Sequence, residues 1–272
     1  MSKPIFLVVW LICCVLVTPV ARGEEQPLTF GVFPYVSPGR LVAHQHGLAQ
    51  FLASRLHRRV VMVTAPNYRT FFERTRRGDY DLALTAPHFA RAAELHDGYR
   101  PLAITEHHIS GVFIVRRDGP IHQIKDLSGR TVTDTVPETI VYQLALQTLA
   151  QHGLVPGRNV TILSTKTFNN AIFAALRGDS DAAVTGFKLW QHLAPRYKSQ
   201  LRAIGQTRSI PGFVLIANPK LATATATAAQ QAALAFAGSP AGKHYLFIGF
   251  KRVTEQTMKD FDPYTKFLKG WQ

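Results

Sequence analysis

Apolar residues along this chain fall into two rhythms, short β-branched runs and longer stretches of helical period, and their alternation predicts an α/β protein. Leu28 to Phe33 reads as a strand, followed by the loop Pro34-Tyr35-Val36-Ser37-Pro38-Gly39. Leu41, Leu48, Leu52 and Leu56 then share one helical face. Val60-Val61-Met62-Val63 is too short for a helix and predicts a strand buried on both faces of a parallel sheet. Arg69 to Arg77 has no helix breaker, Gly78 supplies a C-terminal cap, and Asp79-Tyr80-Asp81 turns into the strand Leu82-Ala83-Leu84. A strand, a crossover helix and a parallel strand form a right-handed unit.

That unit occurs twice. RGDYDLALT, from Arg77 to Thr85, returns as RGDSDAAVT, from Arg177 to Thr185, with six identities in nine positions at an offset of 100. Upstream, Tyr68 and Phe72 align with Phe168 and Ile172, and Val60 to Val63 with Val160 to Leu163. Two copies of one design predict two lobes. The second lobe also offers a strand at Thr131-Val132-Thr133 and a helix from about Glu138 to His152, capped by Gly153. Ala222 to Ala233, rich in Ala and Thr, is a packing helix candidate.

Two segments read as hinges, His108 to Val115 and Ser209 to Ala217, each with a glycine beside a β-rich run. They predict a discontinuous first lobe (24–108 and 212–272), a continuous second lobe (109–211) and a cleft between. In open α/β sheets ligands bind beyond the carboxyl ends of the strands, which points to residues 34–39, 85–88, 134–139 and 185–187.

Composition narrows the chemistry. Residues 5–17 are a run of 13 apolar side chains after Lys3, the length of a signal-peptide core and short of a bilayer span. Ala21 and Gly23 place cleavage after Gly23, so residues 1–23 are expected to be removed on export to the periplasm. Both cysteines, Cys13 and Cys14, lie in that run in a poor lipoprotein context. The remaining chain can hold no thiol nucleophile, thiolate metal site or disulfide. It carries 29 basic against 17 acidic side chains, a balance that favours anionic partners or a solvated cationic surface. Export and the scatter of the basic residues argue against nucleic acid. His44 and His46, and the adjacent His107 and His108, lack the spacing that sets two metal ligands on one helical face. No nucleophile elbow, phosphate loop or catalytic carboxylate pair occurs. The duplicated Asp79, Asp81, Asp179 and Asp181 suit turn chemistry. No enzyme, metal or cofactor is therefore expected.

Taken together, FGVFPYVSPGRL at 30–41, RGDYDLALTAPHFA at 77–90, NNAIFAALRGDSDAAVTG at 169–186, SIPGFVLIANP at 209–219 and AGKHYLFIGF at 241–250 resemble the phosphate, phosphite and phosphonate-binding proteins of ABC transporters. The resemblance implies a type II periplasmic-binding fold: two α/β lobes joined by two hinge strands, closing on a ligand that is delivered to a permease. In such proteins a run of small hydroxyl residues opening a second-lobe helix holds the phosphonate oxygens. The corresponding stretch here keeps Thr135 and Thr139 but places Glu138 among them. A carboxylate there repels an anion unless it points away or accepts a proton from the ligand.

The expected ligand residues are Tyr35 and Tyr68, on loops at strand ends; Thr85 and Thr185, ending the duplicated strands; His88; Thr135 and Thr139; and Asn169, whose competing role is a helix N-cap. Pro137 reads as an early helix residue. The expected protein is a monomer that binds a small anionic ligand and hands it to an ABC permease. The alternative is a receptor that signals to a membrane histidine kinase. A periplasmic enzyme acting on a phosphorylated substrate is the third reading, tested by turnover lost in His88→Ala.

Overall fold

A computed structural model describes residues 26–266 and Leu268. The signal-peptide expectation, including both cysteines, falls on residues outside that range. The chain opens with β1 (Leu28–Val32), α1 (Pro38–Leu56), β2 (Val60–Val63), α2 (Tyr68–Arg77), β3 (Leu82–Thr85), α3 (Pro87–Asp97) and β4 (Arg100–Thr105). It crosses through β5 (His108–Ile109) to β6 (Gly111–Arg116), β7 (Thr131–Asp134), α4 (Ile140–Gln151), β8 (Thr161–Ser164), α5 (Phe168–Arg177), β9 (Ala182–Gly186), α6 (Phe187–Gln191), α7 (Pro195–Lys198) and β10 (Leu201–Gln206). It returns through β11 (Ile210–Pro211) to β12 (Val214–Ala217), α8 (Thr223–Ala235), β13 (Phe250–Arg252) and α9 (Glu255–Lys259).

These elements form two sheets, ordered β13-β4-β12-β3-β1-β2 and β10-β6-β9-β7-β8, and a two-stranded ribbon of β5 with β11. The ribbon carries both crossings, Ile109 opposite Ile210 and His108 opposite Pro211. Each main sheet is built around a parallel trio, β2-β1-β3 in the first and β8-β7-β9 in the second. The internal repeat is thus a structural repeat.

Local chemistry explains why both copies fold alike. Asn67 caps α2 through the Thr70 amide at 2.8 Å, and Thr167 caps α5 through the Asn170 amide at 3.1 Å. Gly78 and Gly178 end the helices at φ 77° and 81°, a left-handed conformation that side chains with a Cβ resist. Asp81 accepts the Thr29 amide at 2.7 Å and Asp181 accepts the Thr131 amide at 2.9 Å, so each aspartate ties its turn to the first strand of its trio. Arg77 pairs with Asp79 and Arg177 with Asp179 at the surface. The four aspartates serve the turns.

Leu28, Phe30 and Val32 of β1, with Leu41, Leu48 and Leu52 of α1, anchor the first core and are at most 1% exposed. Ala226, Ala229, Ala232 and Ala233 let α8 pack closely behind that sheet. Two strand burials and three helix starts refine the sequence expectation. β2 is half-buried because it is an edge strand with a neighbour on one side, and β8 is more exposed for the same reason. Tyr68 is the first residue of α2, not a loop residue, because Asn67 caps the helix immediately before it. Helix α4 starts at Ile140 because Thr139 caps it, which leaves Pro137 and Glu138 in the preceding turn. The stretch after Thr85 is α3, begun by Pro87.

Candidate functional site

The carboxyl ends of β1, β3 and β7 and the first turns of α2 and α3 gather most of the predicted ligand residues. Phe33, just past β1, donates its amide to Leu84 O of β3 at 3.0 Å, and its ring stacks on Tyr68 at 4.8 Å between centroids with 4° between planes. Phe213, from the returning hinge, lies 5.1 Å from both Tyr35 and Phe247. These rings form an aromatic wall. Gln45 donates to the Tyr35 hydroxyl at 2.9 Å, and His44 Nδ1 lies 3.2 Å from it. Burial raises the Tyr35 pKa to about 12, partly countered by the Gln45 hydrogen bond. Tyr35 therefore presents its ring, with its hydroxyl committed to α1.

Thr85 and Thr185 end equivalent strands and are 1% and 0% exposed. The hydroxyl of each is buried without a hydrogen-bond partner, as is that of Thr133 on β7. Thr133 and Thr185 lie on one face of the second sheet, because Thr133 is in register with Ala183, two residues before Thr185. Buried hydroxyls rarely stay unpaired, since leaving water without a partner costs about 1–3 kcal/mol each.

His88, in the first turn of α3, is fully buried and meets Glu138 O across the cleft at 3.0 Å. Burial lowers its pKa to about 4 despite that bond, so the ring is neutral and its Nε2–H is the donor. Glu138 leads into α4. Its Oε2 is buried without a hydrogen-bond partner, and its charge, after burial, raises the Tyr68 pKa. On the same turn Thr135 and Thr139 share a hydrogen bond at 2.8 Å, and Thr139 caps the Tyr142 amide at 3.2 Å. Asn169 stands apart. It is exposed in the first turn of α5, and the N-cap role belongs to Thr167.

Two groups here are not among the expected ligand residues, although Asp134 lies in the 134–139 segment and His107 is among the histidines weighed as metal ligands. Asp134 ends β7 at 2% exposure, accepts the Thr135 amide at 2.6 Å, and is raised by burial to about 7. Its place at a strand end was the available signal. His107, 5% exposed, stacks on Phe247 at 4.2 Å and shares a 2.8 Å hydrogen bond with Thr105. Burial, with Lys188 and His108 nearby, lowers its pKa to about 3. No spacing pattern marked it.

Two further bonds cross between the lobes. Lys188 Nζ donates to Leu246 O at 3.2 Å, and the Tyr264 hydroxyl donates to Gln147 at 2.9 Å. With the His88 bond they tie the two lobes together. A cavity of about 90 Å³ beside Gly178, lined by Arg116, Ile121 and Asp181, lies at the opposite end of β9 and is separate from this cluster.

Comparison with known structures places the fold. The chain is similar to PhnD1 from Prochlorococcus marinus in complex with methylphosphonate, at TM-score 0.75 and 16% identity over 89% of this chain and 98% of that one. It is also similar to XAC2383 from Xanthomonas citri bound to ATP, at TM-score 0.75 and 20% identity over 90% and 98%. A third match is a binding protein component of an ABC phosphonate transporter from Pseudomonas aeruginosa, at TM-score 0.73 and 16% identity over 88% and 86%. No curated protein sequence matches the chain. The family model for the periplasmic substrate-binding protein of phosphonate ABC transporters matches residues 30–261. With its two α/β lobes, hinge ribbon and aromatic-walled cleft, the chain belongs to that family of transport receptors.

Proposed function

We propose that this receptor captures a small oxyanion of the phosphate, phosphite or phosphonate class in the cleft and acts as a monomer. The lobes are residues 24–108 with 212–272, and 109–211, and export removes residues 1–23. Membership of the family carries delivery to an ABC permease and a periplasmic location. The observation supporting the ligand class is the pair of unpartnered buried hydroxyls, Thr85 and Thr185, at the same point of the duplicated strand. Each can donate to an oxygen that arrives with the ligand. Tyr35 and Tyr68 supply apolar walls, His88 fixes Glu138, and Thr135 and Thr139 shape the entrance to α4. Asn169, exposed on α5, would join only from the rim.

Binding that is stronger in the closed form shifts the open and closed populations, and no bond is broken. The test is a thermal-shift panel on residues 24–272 with phosphate, phosphite, methylphosphonate, sulfate and small organic acids. A ligand at about 100 times its Kd adds about 2.7 kcal/mol, a shift of several degrees. A selective shift abolished by Thr85→Ala supports the reading. A shift only with organic acids, or one that Thr85→Ala leaves intact, overturns it.

A further inference from the structure

Glu138 sits where an anion receptor has least use for a negative charge. The turn from Thr135 to Thr139 offers hydroxyls and the N-terminal end of α4, features that favour an oxyanion. Glu138 is only partly exposed, and one of its two carboxylate oxygens is closed off from water. Its Oε2 is buried, its backbone carbonyl is held by His88, and its charge reaches the Tyr68 ring that stacks on Phe33. Asp134 lies four residues earlier, also buried. Among the described residues neither carboxylate takes part in an ion pair, and His88 contributes no positive charge. A buried carboxylate oxygen needs a hydrogen-bond donor, and bringing a fully ionised oxyanion beside it adds repulsion instead.

An oxyacid that keeps one proton meets both demands. We propose that Glu138 selects the singly protonated form of the ligand: its carboxylate accepts the acid O–H, while the hydroxyls of Thr85 and Thr185 donate to the ligand's charged oxygens. This rests on the oxyanion-receptor reading and adds to it the protonation state that the cleft accepts. The sharpest probe pair is methylphosphonate at mildly acid pH and methanesulfonate. Both are singly charged tetrahedral anions of one size, and they differ by the one O–H that Glu138 would accept.

Calorimetric titration of the wild-type chain is expected to favour methylphosphonate by about ten- to a hundred-fold, the scale of a hydrogen bond to a charged group. Glu138→Gln keeps the shape and removes the charge, so it is expected to weaken methylphosphonate, strengthen methanesulfonate and bring the two near parity. Equal wild-type affinities overturn the proposal, as does a preference that persists undiminished in Glu138→Gln. The wild-type comparison stands even if the variant fails to fold. Binding of 2-aminoethanesulfonate as tightly as methylphosphonate, lost in Glu138→Gln, would overturn it in favour of an ammonium donor. A folded wild-type chain that binds none of the three probes contradicts the receptor reading itself. Phosphorus ligands that bind through Thr85 but ignore Glu138 contradict only the selection.

Discussion

Replacing Thr85 by valine should move stability and affinity in opposite directions. The side chains have the same shape and valine suits a strand, so the change deletes one hydroxyl and little else. That hydroxyl is 1% exposed and has no partner in the ligand-free chain. Its burial costs about 1–3 kcal/mol, so Thr85→Val should stabilise the free protein by about 1 kcal/mol, or about 2–4 °C in Tm for a chain of this length. The same hydroxyl is assigned to the ligand. Losing a hydrogen bond to a charged oxygen should weaken binding by about ten- to a hundred-fold. Urea titration and calorimetry with phosphate and methylphosphonate measure the two effects. A Thr85→Val chain clearly less stable than wild type would show that the hydroxyl is satisfied within the protein. Unchanged affinity would remove Thr85 from the site.

Other outcomes follow from the same structure. The pKa values of His88 and His107 lie near 4 and 3, below the ordinary 6.5, so between pH 4 and 6.5 the unfolded chain binds their protons and stability falls with acidification; Asp134, raised from 3.8 to about 7, acts in the opposite sense. Two histidines against one carboxylate leave a net loss of about 1 kcal/mol per pH unit near pH 5 that fades toward pH 6.5, and His107→Gln should flatten the slope in denaturant titrations at stepped pH. Gly212→Ala puts a Cβ against the His107 ring and Thr105 Oγ1 beside the hinge ribbon, and should cost about 1–3 kcal/mol by urea denaturation. Edman sequencing of the exported protein should begin at Glu24, and a chain beginning at Met1 would refute the cleavage.

Much of the architecture was readable in the sequence because it is local chemistry repeated. Leu41, Leu48 and Leu52 share a helical face whatever they pack against, Gly78 and Gly178 end helices through their own φ, and the duplicated RGD turns bind their own strands through Asp81 and Asp181. Strand ends in a duplicated α/β unit also fall at one edge of each sheet, which makes Thr85, Thr185 and the 134–139 turn candidates from the sequence alone. What depends on neighbours distant in the chain could not be read this way. Whether Val60 to Val63 lies inside or at the edge of a sheet depends on which strands flank it. The burial of His107, and so its shifted protonation, depends on the Phe247 loop, 140 residues on, stacking over it. The sequence placed Glu138 at a helix entrance and left its direction open. Only the assembled fold brings His88, fifty residues earlier and on the other lobe, onto the Glu138 carbonyl and leaves the Glu138 Oε2 buried, because desolvation depends on what packs around a group.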